Sequence, residues 1–246
     1  MKSIKILGVR FDKISLEQAI NRVKEFLSLK KQSLIFTPNP EMCVEAKKNS
    51  YFKEVLNYSD LNLCDGFGVF LVSRFFKNLK LERITGVDFF LEICGRIEAK
   101  IFLLGAEPGV AQKCKLKLES KFPKISVVGT LAGSLDKEGL EEIEEEINKT
   151  KPEILFVAFG APKQEIFLFE NLHKFPSVKV GIGVGGTFDF VSQAKKRAPA
   201  FVRKLGLEWL FRLFLEPKKR FFRIWNATFR FLFLVFGEII LKSFKK

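Results

Sequence analysis

The chain has 246 residues, 47% hydrophobic and 28% charged, a balance that fits one large globular domain or two small ones and excludes a wholly disordered chain. Its formal net charge of +14 calls for an anionic partner: nucleic acid, a phosphorylated ligand or lipid headgroups. That charge is concentrated at one end, because from Lys195 to Lys246 fourteen Lys and Arg face three Glu, a net of +11, which leaves +3 for the first 194 residues. The four cysteines (Cys43, Cys64, Cys94, Cys114) are widely spaced and form no C-x-x-C pair, which argues against a zinc site or a disulfide framework and suits a reducing cytoplasm.

The N-terminal stretch MKSIKILGVRFDKIS holds one short apolar run containing Lys5 and no small-residue cleavage site, so it reads as a first strand over Ile4–Val9, not a signal peptide. Ser15 and Gln18 form a capping box ahead of Ala19, Ile20, Val23, Phe26 and Leu27, the apolar face of a first helix. Six short apolar runs follow: Ser33–Thr37, Asp60–Cys64, Lys100–Gly105, Ile125–Gly129, Glu153–Gly160 and Val178–Val184. Such runs suit strands of a parallel sheet covered on both faces. A helix from about Lys137 to Asn148 carries Leu140, Ile143 and Ile147 as its stripe. Strand–helix alternation at this length predicts a doubly wound α/β sheet. The single histidine, His173, reads as a surface residue.

From Ala198-Pro199 the pattern RAPAFVRKLGLEWLFRLFLEP predicts a helix packed on the core through Phe201, Val202, Leu205, Trp209 and Leu213. After Pro217 the uncharged runs are six and seven residues long, interrupted by Arg230 and Glu238. A span needs about 20 apolar residues, so this Phe-rich tail with Trp225 and flanking Lys/Arg fits an interfacial helix on an anionic membrane surface, or a terminal helix packed on the domain. Residues 1–194 therefore read as one α/β domain, the candidate for any catalytic role, and residues 195–246 as a basic, aromatic-rich helical appendage.

Ligands of such sheets bind beyond the carboxyl ends of the strands. The turns there hold Pro38-Asn39-Pro40-Glu41, Asp65-Gly66-Phe67-Gly68, Gly105-Ala106-Glu107-Pro108-Gly109, Ala161-Pro162-Lys163-Gln164-Glu165 and Gly185-Gly186-Thr187-Phe188-Asp189. Asp65 either caps the helix starting near Phe67 or takes a proton from a substrate hydroxyl. Thr37 and Asn39 either end a strand and cap a helix or bind a sugar or phosphate. Gly185, Gly186 and Gly105 let backbone amides approach an anion, and Lys163 adds positive charge at a helix start. The turn after Ile4–Val9 lacks the glycine cluster of a dinucleotide-binding oxidoreductase. No D-x-D metal clamp is present, so a departing nucleotide diphosphate would need Lys, Arg and helix N-termini.

The strings FTPNPEM (Phe36–Met42), LNLCDGFGV (Leu61–Val69), ERITG (Glu82–Gly86), FVAFGAPKQE (Phe156–Glu165), GVGGTFDF (Gly183–Phe190), KRAP (Lys196–Pro199) and LGLEWLFRLFLEP (Leu205–Pro217) resemble, in order, the WecG/TagA/CpsF glycosyltransferases. The resemblance implies a Rossmann-like, mostly parallel sheet with helices on both faces and a C-terminal membrane-associating appendage. It implies an inverting, metal-independent transfer with no cofactor. The sugar, typically N-acetylmannosamine, passes from its UDP donor to N-acetylglucosamine on undecaprenyl diphosphate, at the cytoplasmic face of the membrane, for teichoic acid or another surface polysaccharide. Asp65 matches the proposed base, with Thr37 and Asn39 beside it. Gln164 and Arg83 match pocket positions, Gly160, Lys163, Glu165, Gly185, Gly186, Thr187 and Asp189 fall in the matching strings, and Gly105 remains a binding candidate from its turn alone. Arg212 matches an arginine of the appendage that closes over the diphosphate, while Lys219, Arg220 and Arg223 lie where the match loosens. The donor is left open between N-acetylmannosamine, its uronic acid and glucose, as is a homo-oligomer. A nucleic-acid-binding α/β protein is the remote alternative, and no nucleic-acid partner is expected.

Overall fold

Each of the six apolar runs becomes a strand of one sheet. The structure, a computed structural model, describes residues 1–76, 79–217, 221 and 224–243. Strands β3 (Ser33–Phe36), β4 (Leu61–Asn62), β5 (Lys100–Gly105), β6 (Ser126–Leu131), β7 (Ile154–Ala158) and β8 (Val180–Gly183) are parallel, in the order β4-β3-β8-β7-β5-β6. Successive strand residues point to opposite faces, which is why the runs lack polar alternation. Ile35, Ile101, Leu103, Ile154 and Phe156 face one way, onto α1 (Leu16–Ser28), α5 (Gly86–Arg96), α6 (Val110–Lys121) and the short α9 (Thr187–Val191). Leu34, Phe36, Phe102, Leu104, Leu155 and Val157 face the other way, onto α2 (Pro40–Lys48), α3 (Ser50–Tyr58), α4 (Phe67–Phe76), α7 (Lys137–Thr150) and α8 (Lys163–Asn171). The Ser15/Gln18 capping box starts α1 as the sequence predicts, and all four cysteines are buried free thiols.

The N-terminus differs from the expected single strand. It is a hairpin outside the main sheet, β1 (Ser3–Ile6) against β2 (Val9–Asp12), turning at Leu7 and Gly8 with φ of 50° and 85°. Two central residues with positive φ make the tight turn that matches strand twist. Its apolar residues Ile6, Val9 and Phe11 join the second face of the core.

The helix predicted from Ala198 onward is two helices, α10 (Ala200–Lys204) and α11 (Glu208–Leu215). The break falls at Gly206, which lies so close to Phe67 that a Cβ would come within 2.3 Å of its ring. Consequently Phe201 and Leu205, expected on the core, are 66% and 60% exposed. After a π-helical turn at Asn226–Arg230, the C-terminal helix Phe231–Ser243 buries Phe231 and Val235 in the core and leaves Phe233, Phe236 and Ile240 exposed. Its Glu238 Oε2 accepts from the Leu7 amide at 3.2 Å, tying the tail to the hairpin turn. Among the described residues no helix is long and apolar enough to cross a membrane.

Candidate active site

The sheet order leaves β3, β8 and β7 side by side in the middle, and their exit loops diverge to opposite faces. Between them, with contributions from the ends of β4 and β5, opens a cleft of about 600 Å³. Thr37, Asn39, Asp65, Gly160, Gln164, Gly185, Gly186, Thr187 and Asp189 all line it. The sequence-level candidates therefore converge from four separate loops.

Asp65 follows β4. Its amide donates to Pro38 O at 3.1 Å, joining the loops after β3 and β4, and its Oδ2 accepts from the Gly86 amide at 3.4 Å. Gly86 opens α5, so the partial positive charge of a helix N-terminus lies beside this carboxylate. Asn39 caps α2, with Oδ1 accepting from the Met42 amide at 3.0 Å. Thr37 is 7% exposed, at the mouth of β3. The Thr187 hydroxyl donates to Val184 O at 2.6 Å.

Gln164 joins the two glycine turns. Its Oε1 accepts from the Gly160 amide at 3.2 Å and the Gly185 amide at 2.9 Å, and its Nε2 donates to Glu165 Oε1 at 2.6 Å. Both glycines have positive φ, and a Cβ on either would meet nothing within 4 Å, so the turns leave open space at the cleft wall. Glu165 is fully buried beneath them, and burial pushes its carboxyl up to about 7 against the pull of the Gln164 bond.

The other candidates stand apart. Gly105 lies under the cleft, where a Cβ would come within 2.8 Å of the Ala158 backbone; its neighbours Ala106 and Glu107 form the lining. Lys163 is exposed at the start of α8, outside the lining. Arg83 points to the tail, and its guanidinium donates to Arg203 O at 2.5 Å. Arg212 stands on α11, and Lys219, Arg220 and Arg223 lie outside the described residues.

Sequence reasoning missed the latch around Asp88. Asp88 Oδ1 receives Arg197 at 2.8 Å and Arg203 at 3.4 Å, and Oδ2 receives the Thr85 hydroxyl at 2.7 Å. Burial raises this carboxyl, but the Thr85 bond and the two guanidinium groups outweigh it and hold the pKa below its ordinary value. The latch fastens the start of the tail to α5, the helix whose first amide meets Asp65. Lys195, ion-paired with Asp189 at 2.7 Å, and Glu208 complete the cleft lining from the tail side. The described lining thus carries Glu41, Asp65, Glu107, Asp189 and Glu208 against one ammonium.

The sequence matches the Glycosyl transferase WecG/TagA/CpsF family over residues 4–245. The chain belongs to this family. Among curated relatives, it is 37% identical over 197 residues to an N-acetylglucosaminyldiphosphoundecaprenol N-acetyl-beta-D-mannosaminyltransferase of Bacillus subtilis (strain 168), covering 79% of this chain and 76% of the relative. The similarly named protein of Staphylococcus aureus (strain MRSA252) is 34% identical over 221 residues, 88% of this chain and 86% of the relative. The WecG/TagA/CpsF match spans both the sheet that forms the cleft and the tail that borders it.

Proposed function

We propose that this glycosyltransferase moves N-acetylmannosamine from a UDP donor to N-acetylglucosamine on undecaprenyl diphosphate, with inversion and without a metal ion. It would act as a peripheral protein on the cytoplasmic membrane face, in teichoic acid or related surface-polysaccharide synthesis. The observation that carries the reading is Asp65, a carboxylate in the cleft lining, anchored at the α5 N-terminus with Thr37 and Asn39 in the same lining. The relatives' names support the sugar and the acceptor. Asp65 removes the proton of the acceptor hydroxyl as that oxygen attacks the anomeric carbon. The bond from that carbon to the diphosphate oxygen breaks, and UDP departs.

The departing diphosphate needs compensation, and most of the donors placed in the described lining are already engaged. The amides of Gly160 and Gly185 already serve Gln164, that of Gly86 serves Asp65, and the Lys195 ammonium is ion-paired with Asp189. We assign this task to the basic appendage, residues 195–246, through Arg212, Lys219, Arg220 and Arg223. Support comes from its root: Lys195 and Glu208 line the cleft, Gly206 lies on Phe67, and Arg83 holds Arg203. Arg83 enters the reading by fastening this segment. The exposed Trp225, Phe229, Phe233 and Phe236 give the appendage an aromatic face suited to a lipid interface. The relatives' names favour N-acetylmannosamine over its uronic acid or glucose as the donated sugar.

The test is UDP release from UDP-N-acetylmannosamine with a short-chain lipid-diphosphate acceptor. Asp65→Ala is expected to lower turnover by ~10²–10⁴-fold. Near wild-type turnover in a normally folded Asp65→Ala protein rules Asp65 out as the base.

A further inference from the structure

Glu165 is a poor choice for its surroundings. It lies in the first turn of α8, fully buried, behind the cleft wall and not in it. One carboxyl oxygen accepts from Gln164, and the other has no hydrogen-bond partner. A buried acid with an orphaned oxygen destabilises a fold that a methionine of similar size would satisfy. Room is nevertheless made for it. A Cβ on Gly183 of β8 would lie 3.0 Å from Gln164 Nε2 and 3.2 Å from Glu165 Oε1, closer than side chains tolerate comfortably.

The gain is found one residue away. The carboxamide of Gln164 must present its oxygen, not its nitrogen, to the Gly160 and Gly185 amides, since both are donors. A carboxamide turned by 180° has almost the same shape, so packing does not select between the two orientations. The two amide donors disfavour the turned orientation on one side, and an acceptor on the far side disfavours it on the other. Glu165 Oε1 stands at 2.6 Å from Nε2, where a turned carboxamide would set oxygen against oxygen.

We infer that Glu165 is a positioning residue whose carboxyl oxygen locks the Gln164 carboxamide, so that the glycine turns after the adjacent strands β7 and β8 keep a fixed separation at the cleft wall. Its importance for transfer rests on the reading of the cleft as the transfer site. The residue therefore acts on substrate only through Gln164 and the two turns, and touches no sugar itself.

Two variants separate orientation from bulk. Glu165→Met keeps the volume and removes the acceptor; Glu165→Gln keeps an oxygen for Nε2. Hydrogen exchange at the Gly160 and Gly185 amides is read in the full chain without ligand, alongside kcat and KM for the UDP-sugar. In Glu165→Met we expect roughly tenfold faster exchange at both amides and a KM raised by about tenfold, with kcat changed less. Glu165→Gln returns both readouts to within about twofold of the parent. Exchange and KM unchanged in the methionine variant overturn the inference. So does an equal loss in both variants, which would make the charge, not the acceptor, the working feature. Faster exchange in the methionine variant alone, with transfer kinetics unaffected, leaves the lock standing and removes the cleft as the transfer site.

Discussion

Phe231→Ala tests how the tail is held. Phe231 is fully enclosed, and its ring lies 3.4 Å from the point where a Cβ on Gly68 would sit, on the first turn of the helix that follows Asp65. Phe231 and Val235 are the enclosed anchors of the C-terminal helix, and each contributes roughly 1.5–3 kcal/mol by transfer from water. Truncating a buried phenylalanine costs about 3–5 kcal/mol once the cavity is included. That is a large share of what holds the helix beside Val235, the half-buried Leu232, Leu234 and Ile239 packed on the core, and the hydrogen bond from Leu7 to Glu238. The helix is therefore expected to open far more often while the sheet stays folded. At about 1.4 kcal/mol per tenfold, amide exchange over residues 231–243 should accelerate by at least roughly 100-fold. The urea midpoint should fall only until the undocked form dominates. Phe233→Ala, on the same helix but with its parent side chain 78% exposed, serves as the control and should shift stability by no more than about 0.5 kcal/mol. Exchange in Phe231→Ala within tenfold of the parent, with an unchanged midpoint, refutes the anchoring.

Two further outcomes follow from charge. Asp88→Ala frees Arg197 and Arg203, and because these are half-exposed pairs the stability loss should stay below about 2 kcal/mol, while limited proteolysis between residues 195 and 204 speeds up. The Asp88 pKa lies below its ordinary 3.8, so the latch contributes fully above that value and is lost as the pH falls further, which acid-dependent proteolysis of the parent should reproduce. Glu165 has the opposite sign. Its folded pKa, raised from 4.5 to about 7, means that the unfolded chain ionises first, so stability falls between these values and levels off above. Glu165→Gln removes that slope, and its urea-measured stability relative to the parent should rise by roughly 3 kcal/mol from pH 4.5 to 7.5, or less where the parent relaxes around the charge.

The central sheet was readable in the sequence because its strands are covered on both sides and need no polar residues. Four loops of the cleft were readable for a related reason: polar and glycine residues directly after an apolar run mark the carboxyl end of a strand, as with Asp65 after Leu61–Asn62. The N-terminal hairpin was not, because Leu7 adopts a positive φ that no leucine signals. Nor was the break at Gly206, since a lone glycine is tolerated in a helical pattern and its contact with Phe67 joins segments far apart in the chain. The Asp88 latch and the Glu165–Gln164 pair depend on side-chain geometry that spacing does not encode. In the C-terminal helix nearly every position is apolar, so periodicity could not separate the buried Phe231 and Val235 from the exposed Phe233 and Phe236.

The contact between Leu7 and Glu238 joins residues 231 apart, almost the whole chain. Ribosomal synthesis delivers Asp65, the glycine turns and Glu165 well before Phe231, and domains fold N-terminal part first. A nascent chain can thus assemble its cleft while the slot beside Gly68 is still empty and the hairpin turn lacks its carboxylate partner. Completion of this part of the core waits for the synthesis of Phe231, Val235 and Glu238. A chain cut before Phe231 would hold a folded cleft without its seated tail, bearing an exposed apolar slot of the kind chaperones recognise.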